Sequence, residues 1–214
     1  MSTKSTTTLV LVRHGETAWN AEGRVQGQTD VPLNELGRAQ AAALVPVLAG
    51  ERFGAVYSSD LLRVRETAQP TARALGLDVR LEAGLRERHY GMFETLTYVE
   101  CRERYPAEFE RFRDKALDFD FGSGESLQAF YDRALASVGA IAARHVGEAV
   151  LVFTHGGVLE MLYREATASG LRSARDFEIP NAAINRFDYA AGRWALRAWA
   201  DRAHLEAALD DLRE

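Results

Sequence analysis

Two apolar runs, Leu9-Val10-Leu11-Val12 and Ala149-Val150-Leu151-Val152-Phe153-Thr154, carry no polar alternation; the first ends at Arg13-His14-Gly15 and the second at His155-Gly156-Gly157. Strands without alternation are covered on both faces, as in a parallel sheet, and deliver polar groups at their carboxyl ends. A third short run, Ala55-Val56-Tyr57-Ser58, has the same character. Helical patterns lie between them. Pro32-Leu33-Asn34-Glu35 introduces an Ala-rich helix with Leu36, Ala39, Ala43 and Leu44 on one face, which Pro46 should kink or shorten. Ser59-Asp60 should cap a helix through Leu61, Leu62, Ala68 and Ala72 that Gly76 ends. Glu125-Ser126 precedes an amphipathic helix to about His145, and Ala183–Tyr189 and Arg193–Trp199 alternate around Ala190-Ala191-Gly192 as an edge hairpin before a final helix from about Asp201. The alternation of strand and helix predicts an α/β fold, a three-layer sandwich with a mainly parallel central sheet and helices on both faces.

The stretch from Thr95 to Gly124 breaks this rhythm, with Tyr98, Tyr105, Phe109, Phe112, Phe119 and Phe121 set among charges and Pro106 dividing it. It reads as a helical cap over the site, inserted at about residues 88–125 of one domain spanning residues 1–214. A chain of 214 residues with 47% hydrophobic content can bury such a core. Its net charge of -5 argues against binding a nucleic-acid backbone. Cys101 is the one cysteine, so no disulfide framework exists. Met1–Thr8 is a polar tail without the apolar core of a signal peptide, and no run approaches the length of a membrane span, so a cytoplasmic protein without membrane partners is expected.

Ligands of open α/β sheets bind at strand carboxyl ends, so Arg13-His14-Gly15 and His155-Gly156-Gly157 share one rim if their strands are neighbours. Two imidazoles would then face one pocket with Arg13 and Arg63, whose guanidinium forks match a phosphoryl group, while glycines allow close approach of backbone N–H groups. Glu87 is the candidate acid, and Asn20 and Gln26 are candidate neutral donors. Nucleophile, proton donor and cationic cradle are thereby supplied without a metal or other cofactor. His89, His145 and His204 are too scattered to suggest a zinc set.

The order of these pieces resembles the histidine phosphatase superfamily, also called the phosphoglycerate mutase-like family. Leu11-Val12-Arg13-His14-Gly15-Glu16-Thr17 with Asn20 is similar to its signature, in which the histidine becomes phosphorylated and arginine and asparagine hold phosphate. Gly23–Leu33 is similar to the next segment and implies phosphate-side contacts from Gln26, Gly27 and Arg24; Tyr57–Ala68 resembles the block whose first arginine is Arg63. Val152-Phe153-Thr154-His155-Gly156-Gly157 resembles the block that supplies the second histidine, with Gly156 beside the phosphate. Many relatives carry Gly-Trp-Glu-Gly after the acid, where this chain has Gly91-Met92-Phe93-Glu94-Thr95, which points to an altered substrate-side wall.

The resemblance implies a phosphatase of small phosphorylated metabolites in which His14 attacks phosphorus and Glu87 serves as acid and then base, with Arg13, Arg63 and His155 stabilising the transferred group. A cofactor-dependent phosphoglycerate mutase is the alternative, and a non-catalytic phospho-ligand binder the second alternative. The edge hairpin and the relatives make a homodimer the assembly to look for.

Overall fold

The computed structural model describes residues 6–210. The tail expected over Met1–Thr8 is shorter than its composition suggests: Thr7 and Thr8 already belong to β1 (Thr7–Arg13), while residues 1–5 lie outside the described residues. Thr7 is buried because its hydroxyl has partners, the carbonyls of Ala142 (2.8 Å) and His145 (3.0 Å).

After β1 come α1 (Ala18–Ala21), α2 (Glu35–Leu48), β2 (Ala55–Ser58), α3 (Leu62–Leu75) and β3 (Val79–Leu81). Then follow α4 (Tyr98–Arg104), α5 (Pro106–Arg113), α6 (Leu127–Arg144), β4 (Ala149–Thr154), α7 (Gly156–Ala166), β5 (Ile184–Ala190), β6 (Arg193–Asp201) and α8 (Ala203–Asp210). The six strands form one sheet in the order β3-β2-β4-β1-β5-β6. The four strands β3, β2, β4 and β1 are mutually parallel, and β5 runs antiparallel to both neighbours. The mixed, mainly parallel sheet and its edge hairpin thus match expectation; the short β3, with half-buried to exposed residues, left no apolar run to find.

Both sheet faces are covered. Val10, Val12, Val56, Leu151 and Phe153 pack under Leu44 and Leu48 of α2 and Val64, Ala68 and Ala72 of α3. Leu9, Leu11, Val150 and Val152 face Phe130, Val138 and Ile141 of α6 and Val158 and Leu162 of α7. This alternation between two apolar layers is why β1 and β4 are apolar throughout.

Three local expectations are corrected. α2 runs through Pro46 to Leu48: a proline in the last turn forfeits one hydrogen bond without stopping the two residues beyond it. Its buried stripe is Gly37, Ala41, Leu44 and Leu48, with Leu36, Ala39 and Ala43 half-buried at its side, because Gly37 lies against the Glu16 carbonyl, where a β-carbon would sit only 2.0 Å from that oxygen. Ser59 and Asp60 do not cap α3; Leu61 occupies that position without a side-chain cap, and Asp60 pairs with Arg86 instead (2.7 Å, Oδ1 to Nε).

The inserted segment is helical only over α4 and α5; the rest is loop and one 3₁₀ turn, Gly91–Phe93. It has its own core of Phe93, Leu96, Cys101, Phe119 and Phe121, with Val25 contributed from outside. Phe93 meets Tyr105, Phe109, Phe112, Phe119 and Phe121, so most of the aromatic residues that mark this stretch in sequence are packing.

Candidate active site

Strand register brings the two histidines together. Arg13 pairs with Thr154 across β1 and β4, so the residues that follow, His14 and His155, leave the sheet side by side, with their ring centroids 5.3 Å apart. The His14 amide donates to the Thr154 carbonyl (3.0 Å), which extends the ladder to His14 itself. His14 Nδ1 is 2.8 Å from the Gly15 carbonyl. That contact selects the tautomer with the proton on Nδ1 and leaves Nε2 with a free lone pair. Burial, then the charges of Arg63 and Arg13, hold the His14 pKa well below its ordinary value, so the ring is neutral at pH 7.

The loop that carries His14 is fixed from below. Gly15 N–H donates to Thr67 Oγ1 (2.9 Å), Glu16 N–H to Gln40 Oε1 (2.8 Å), and Asn181 Nδ2 to the His14 carbonyl (2.9 Å). Asn181 was missed in the sequence, where it is one polar residue in the long connection before β5 and nothing in its spacing marks it.

Arg63, in the first turn of α3, is 1% exposed. It donates to the carbonyls of Gly27 (2.7 Å) and Thr29 (3.0 Å) and lies 3.2 Å from His155 Nδ1. Burial pushes its pKa down to about 10, still cationic at neutral pH. A guanidinium facing Nδ1 makes that nitrogen the acceptor, so His155 carries its proton on Nε2 and donates to Ser59 Oγ (2.9 Å). Burial and then Arg63 keep His155 neutral as well. Arg13 reaches the Ile179 carbonyl, and its pKa is also lowered, chiefly by burial. The Nε atoms of Arg13 and Arg63 are both buried without a hydrogen-bond partner. Two orphaned guanidinium donors beside a neutral histidine form a cradle for an anion.

Glu87 lies on this rim but pairs with neither neighbouring arginine. Its Oε2 accepts from the Gly157 amide at the start of α7 (2.9 Å) and its Oε1 from the Arg88 amide (2.8 Å). Arg86 is taken by Asp60, and the Arg88 guanidinium donates to the carbonyls of Glu125 and Phe119. Arg133 clamps the segment by donating to the carbonyls of Gly84, Arg86 and Glu87 while pairing with Glu125 (2.6 Å, Nε to Oε1).

A cleft of about 130 Å³ opens above these groups, lined by Arg13, His14, Arg63 and Glu87 together with Asn20, Arg24, Gln26, Gly27, Tyr90 and Tyr98. Asn20 also closes a capping box with Thr17: its Oδ1 lies 3.2 Å from the Thr17 amide, so its amide group is the end left for a ligand. The Thr17 hydroxyl sits 3.0 Å from Gln26 Oε1, which orients that side chain the same way. Gly27 has φ +52°, and a β-carbon there would meet the Glu94 carboxylate at 2.1 Å. Arg24 is bound by Glu22 and Glu100 (both 3.2 Å), so its charge is largely spent. Only one of the two imidazoles lines the cleft: His155, fully buried against Arg63 and Ser59, lies outside the lining, as does Gly156, which backs onto the Arg13 guanidinium, where a β-carbon would be 3.5 Å from Nε. Glu94 ties the Gln28 and Tyr90 amides and the Thr29 hydroxyl together and so holds the segment after Glu87 against the loop that carries Gly27. Beyond Tyr90 and Tyr98 lies a second chamber of about 530 Å³.

Residues 9–202 match the Histidine phosphatase superfamily (branch 1). Phosphoglycerate mutase-like protein 4 of Arabidopsis thaliana is 42% identical over 92% of this chain and 86% of its own length. Metal-independent phosphoserine phosphatase, also of Arabidopsis thaliana, is 39% identical over 94% of this chain and 84% of its own. The crystal structure of a mutant phosphoserine phosphatase from Entamoeba histolytica in complex with phosphoserine superposes with a TM-score of 0.83 at 26% identity, covering 93% of this chain and 99% of that one. The match runs nearly end to end and includes both strand-end histidines, and on that ground the chain belongs to the histidine phosphatase superfamily.

Proposed function

We propose that the protein hydrolyses small phosphate monoesters through a phosphohistidine on His14. The observation that carries this reading is a neutral, buried His14 with Nε2 free, flanked by two guanidinium groups whose Nε atoms lack partners. In the first half-reaction Nε2 attacks phosphorus, the P–N bond forms as the ester P–O bond breaks, and Glu87 gives its proton to the departing oxygen. In the second, the Glu87 carboxylate takes a proton from water, whose oxygen attacks phosphorus. The P–N bond breaks, its electron pair returns to His14, and phosphate leaves. Arg13 and Arg63 pair with the equatorial oxygens throughout, supplying from the chain the positive charge that phosphoryl transfer requires. His155 turns its ring from Ser59 to donate to the same oxygens. Asn20 and Gln26 add neutral donors and the Gly27 backbone completes the floor, with Gly156 shaping Arg13 from behind and Arg24 bracing the wall.

We propose further that the chain works as one domain with residues 88–125 as its cap, and that its substrate is a small phosphorylated metabolite. The relative named a metal-independent phosphoserine phosphatase supports the hydrolytic reading. The relative named phosphoglycerate mutase-like supports a mutase, which needs the same cradle but must return the phosphoryl group to a bound alcohol. Phosphate release from a panel of esters in chelator tests the proposal, alongside phosphoglycerate interconversion with and without bisphosphoglycerate. Release from esters favours the phosphatase; interconversion without release favours the mutase.

A further inference from the structure

The chamber beyond the cleft is several times larger than the cleft itself, about 530 Å³ against about 130 Å³. Tyr90 and Tyr98 line both, and the Glu87 carboxylate in the cleft accepts from the amide of Gly157, which is in the chamber wall. An alcohol leaving oxygen beside Glu87 therefore carries its remainder into the chamber. At about 30 Å³ per water-sized group, a short alcohol such as serine or glycerate fills roughly 200 Å³ and leaves more than half of the space empty.

One side of the chamber is apolar and aromatic, formed by Tyr90, Tyr98, Phe112, Leu127, Phe130 and Met161. The same lining carries unbalanced charge, with Arg175 close enough to Tyr98 to offset part of the rise that burial causes in its pKa. Arg175, on the loop before β5, and Lys115, on the loop after α5, both line it, and Lys115 Nζ donates to the Ser173 carbonyl so that the two loops meet. Glu160 is the one carboxylate in the lining. Its Oε1 is held by buried Arg164 (2.8 Å) and its Oε2 lies 3.5 Å from Arg175. A single negative charge thus faces three cations. The other cations of the wall have more partners: Arg88 gives both donating nitrogens to backbone carbonyls and Arg113 pairs with Glu110 and Asp114, whereas Lys115 has one carbonyl and Arg175 shares Glu160 with Arg164. Burial, then the Arg164 guanidinium, lower the Lys115 pKa; Glu160 offsets part of this and Arg175 adds to it.

The geometry points to a phosphomonoester with a ring-sized alcohol that bears a second anionic group, the ring lying on the aromatic wall and the anion bridging Lys115 and Arg175. This rests on the phosphatase reading and extends it to substrate class. The second anion is a carboxylate or a phosphate, both matched by an ammonium beside a guanidinium fork.

The test compares phenyl phosphate, 4-(carboxymethyl)phenyl phosphate, 4-(phosphonomethyl)phenyl phosphate and O-phosphoserine. The wild type is expected to favour at least one anionic ring ester over phenyl phosphate and over phosphoserine by about tenfold in kcat/KM, the scale of one charge-assisted pair at a half-open site. The preferred ester of the two identifies the anion. That ratio should collapse toward one in Lys115→Ala/Arg175→Ala. Arg175→Gln gives the same reading with less perturbation, since Arg164 still holds Glu160. Arg197→Ala, on the exposed face of β6, should preserve the ratio. An ester series with no anion preference, a preference for phosphoserine, or a preference that survives the double substitution overturns the inference. Titrating the same esters into His14→Ala measures the chamber without turnover. If no ester is hydrolysed yet the anionic ring esters still bind tighter in a Lys115- and Arg175-dependent way, the phosphatase reading fails and the subsite stands.

Discussion

The cleft and the chamber beside it are built from different materials. The cleft stands on strand ends: His14 and His155 leave paired β1 and β4, Arg63 sits in the first turn of α3, main-chain carbonyls fix His14 and Arg63, and Ser59 and Arg63 fix His155. The chamber sets α6 and α7 residues Leu127, Phe130 and Met161 against loops and the segment over residues 88–125, whose own core is separate from the two cores flanking the sheet. Strand ends cannot shift without breaking the sheet, so the reacting groups stay preorganised. Loops on a small satellite core can be rebuilt without moving the sheet. Chemistry is assigned to the rigid half and selectivity to the adaptable half.

Substitutions separate the halves by size of effect. His14→Ala should lower kcat/KM by roughly 10⁴-fold or more for every ester, because no other group supplies the nucleophile; steady-state phosphate release measures it. Glu87→Gln should cost about 10²- to 10⁴-fold, most for esters with poor leaving groups and least for nitrophenyl phosphate, as loss of a general acid requires. An equal loss across leaving groups would remove Glu87 from that role. Arg63→Ala should cost about 10²- to 10³-fold in kcat.

The cap responds differently. Phe93→Ala removes the centre of its aromatic cluster and should destabilise the protein by about 3–5 kcal/mol in chemical denaturation. If the halves are independent, the surviving folded fraction retains phosphoryl transfer to His14 but loses discrimination among leaving groups.

Smallest is the pH effect. His14 and His155 have folded pKa values depressed below the unfolded value of about 6.5, so the unfolded chain takes up protons first as pH falls. Their contribution is complete above about pH 6.5 and is lost progressively below it. Melting temperature should fall on acidification from that point, and less steeply in His14→Ala.

Much of the rigid half was legible beforehand. Apolar runs ending in Arg13-His14 and Thr154-His155 announce two-sided burial and a polar terminus within a few consecutive residues. What joins distant segments was not legible. Ser59 reads as a helix cap but partners His155, 96 residues away, because the strand end beneath α3 points into the site rather than along the helix. Asn181 locks the His14 carbonyl from 167 residues away. Tyr98 looks like one more packing aromatic, yet it lines both cavities. Aromatic composition marks the cap without saying which rings face inward, since that depends on two short helices meeting at Pro106 rather than on one long period.

The central claim is the covalent step on His14. Wild-type enzyme mixed with excess nitrophenyl phosphate, quenched within milliseconds in alkali and digested, should yield one peptide heavier by a phosphoryl group, stable to base, labile to acid and mapping to His14. Glu87→Gln should accumulate more of it and His14→Ala none. Ester turnover with no such adduct at any time, or undiminished turnover in His14→Ala, would contradict the mechanism.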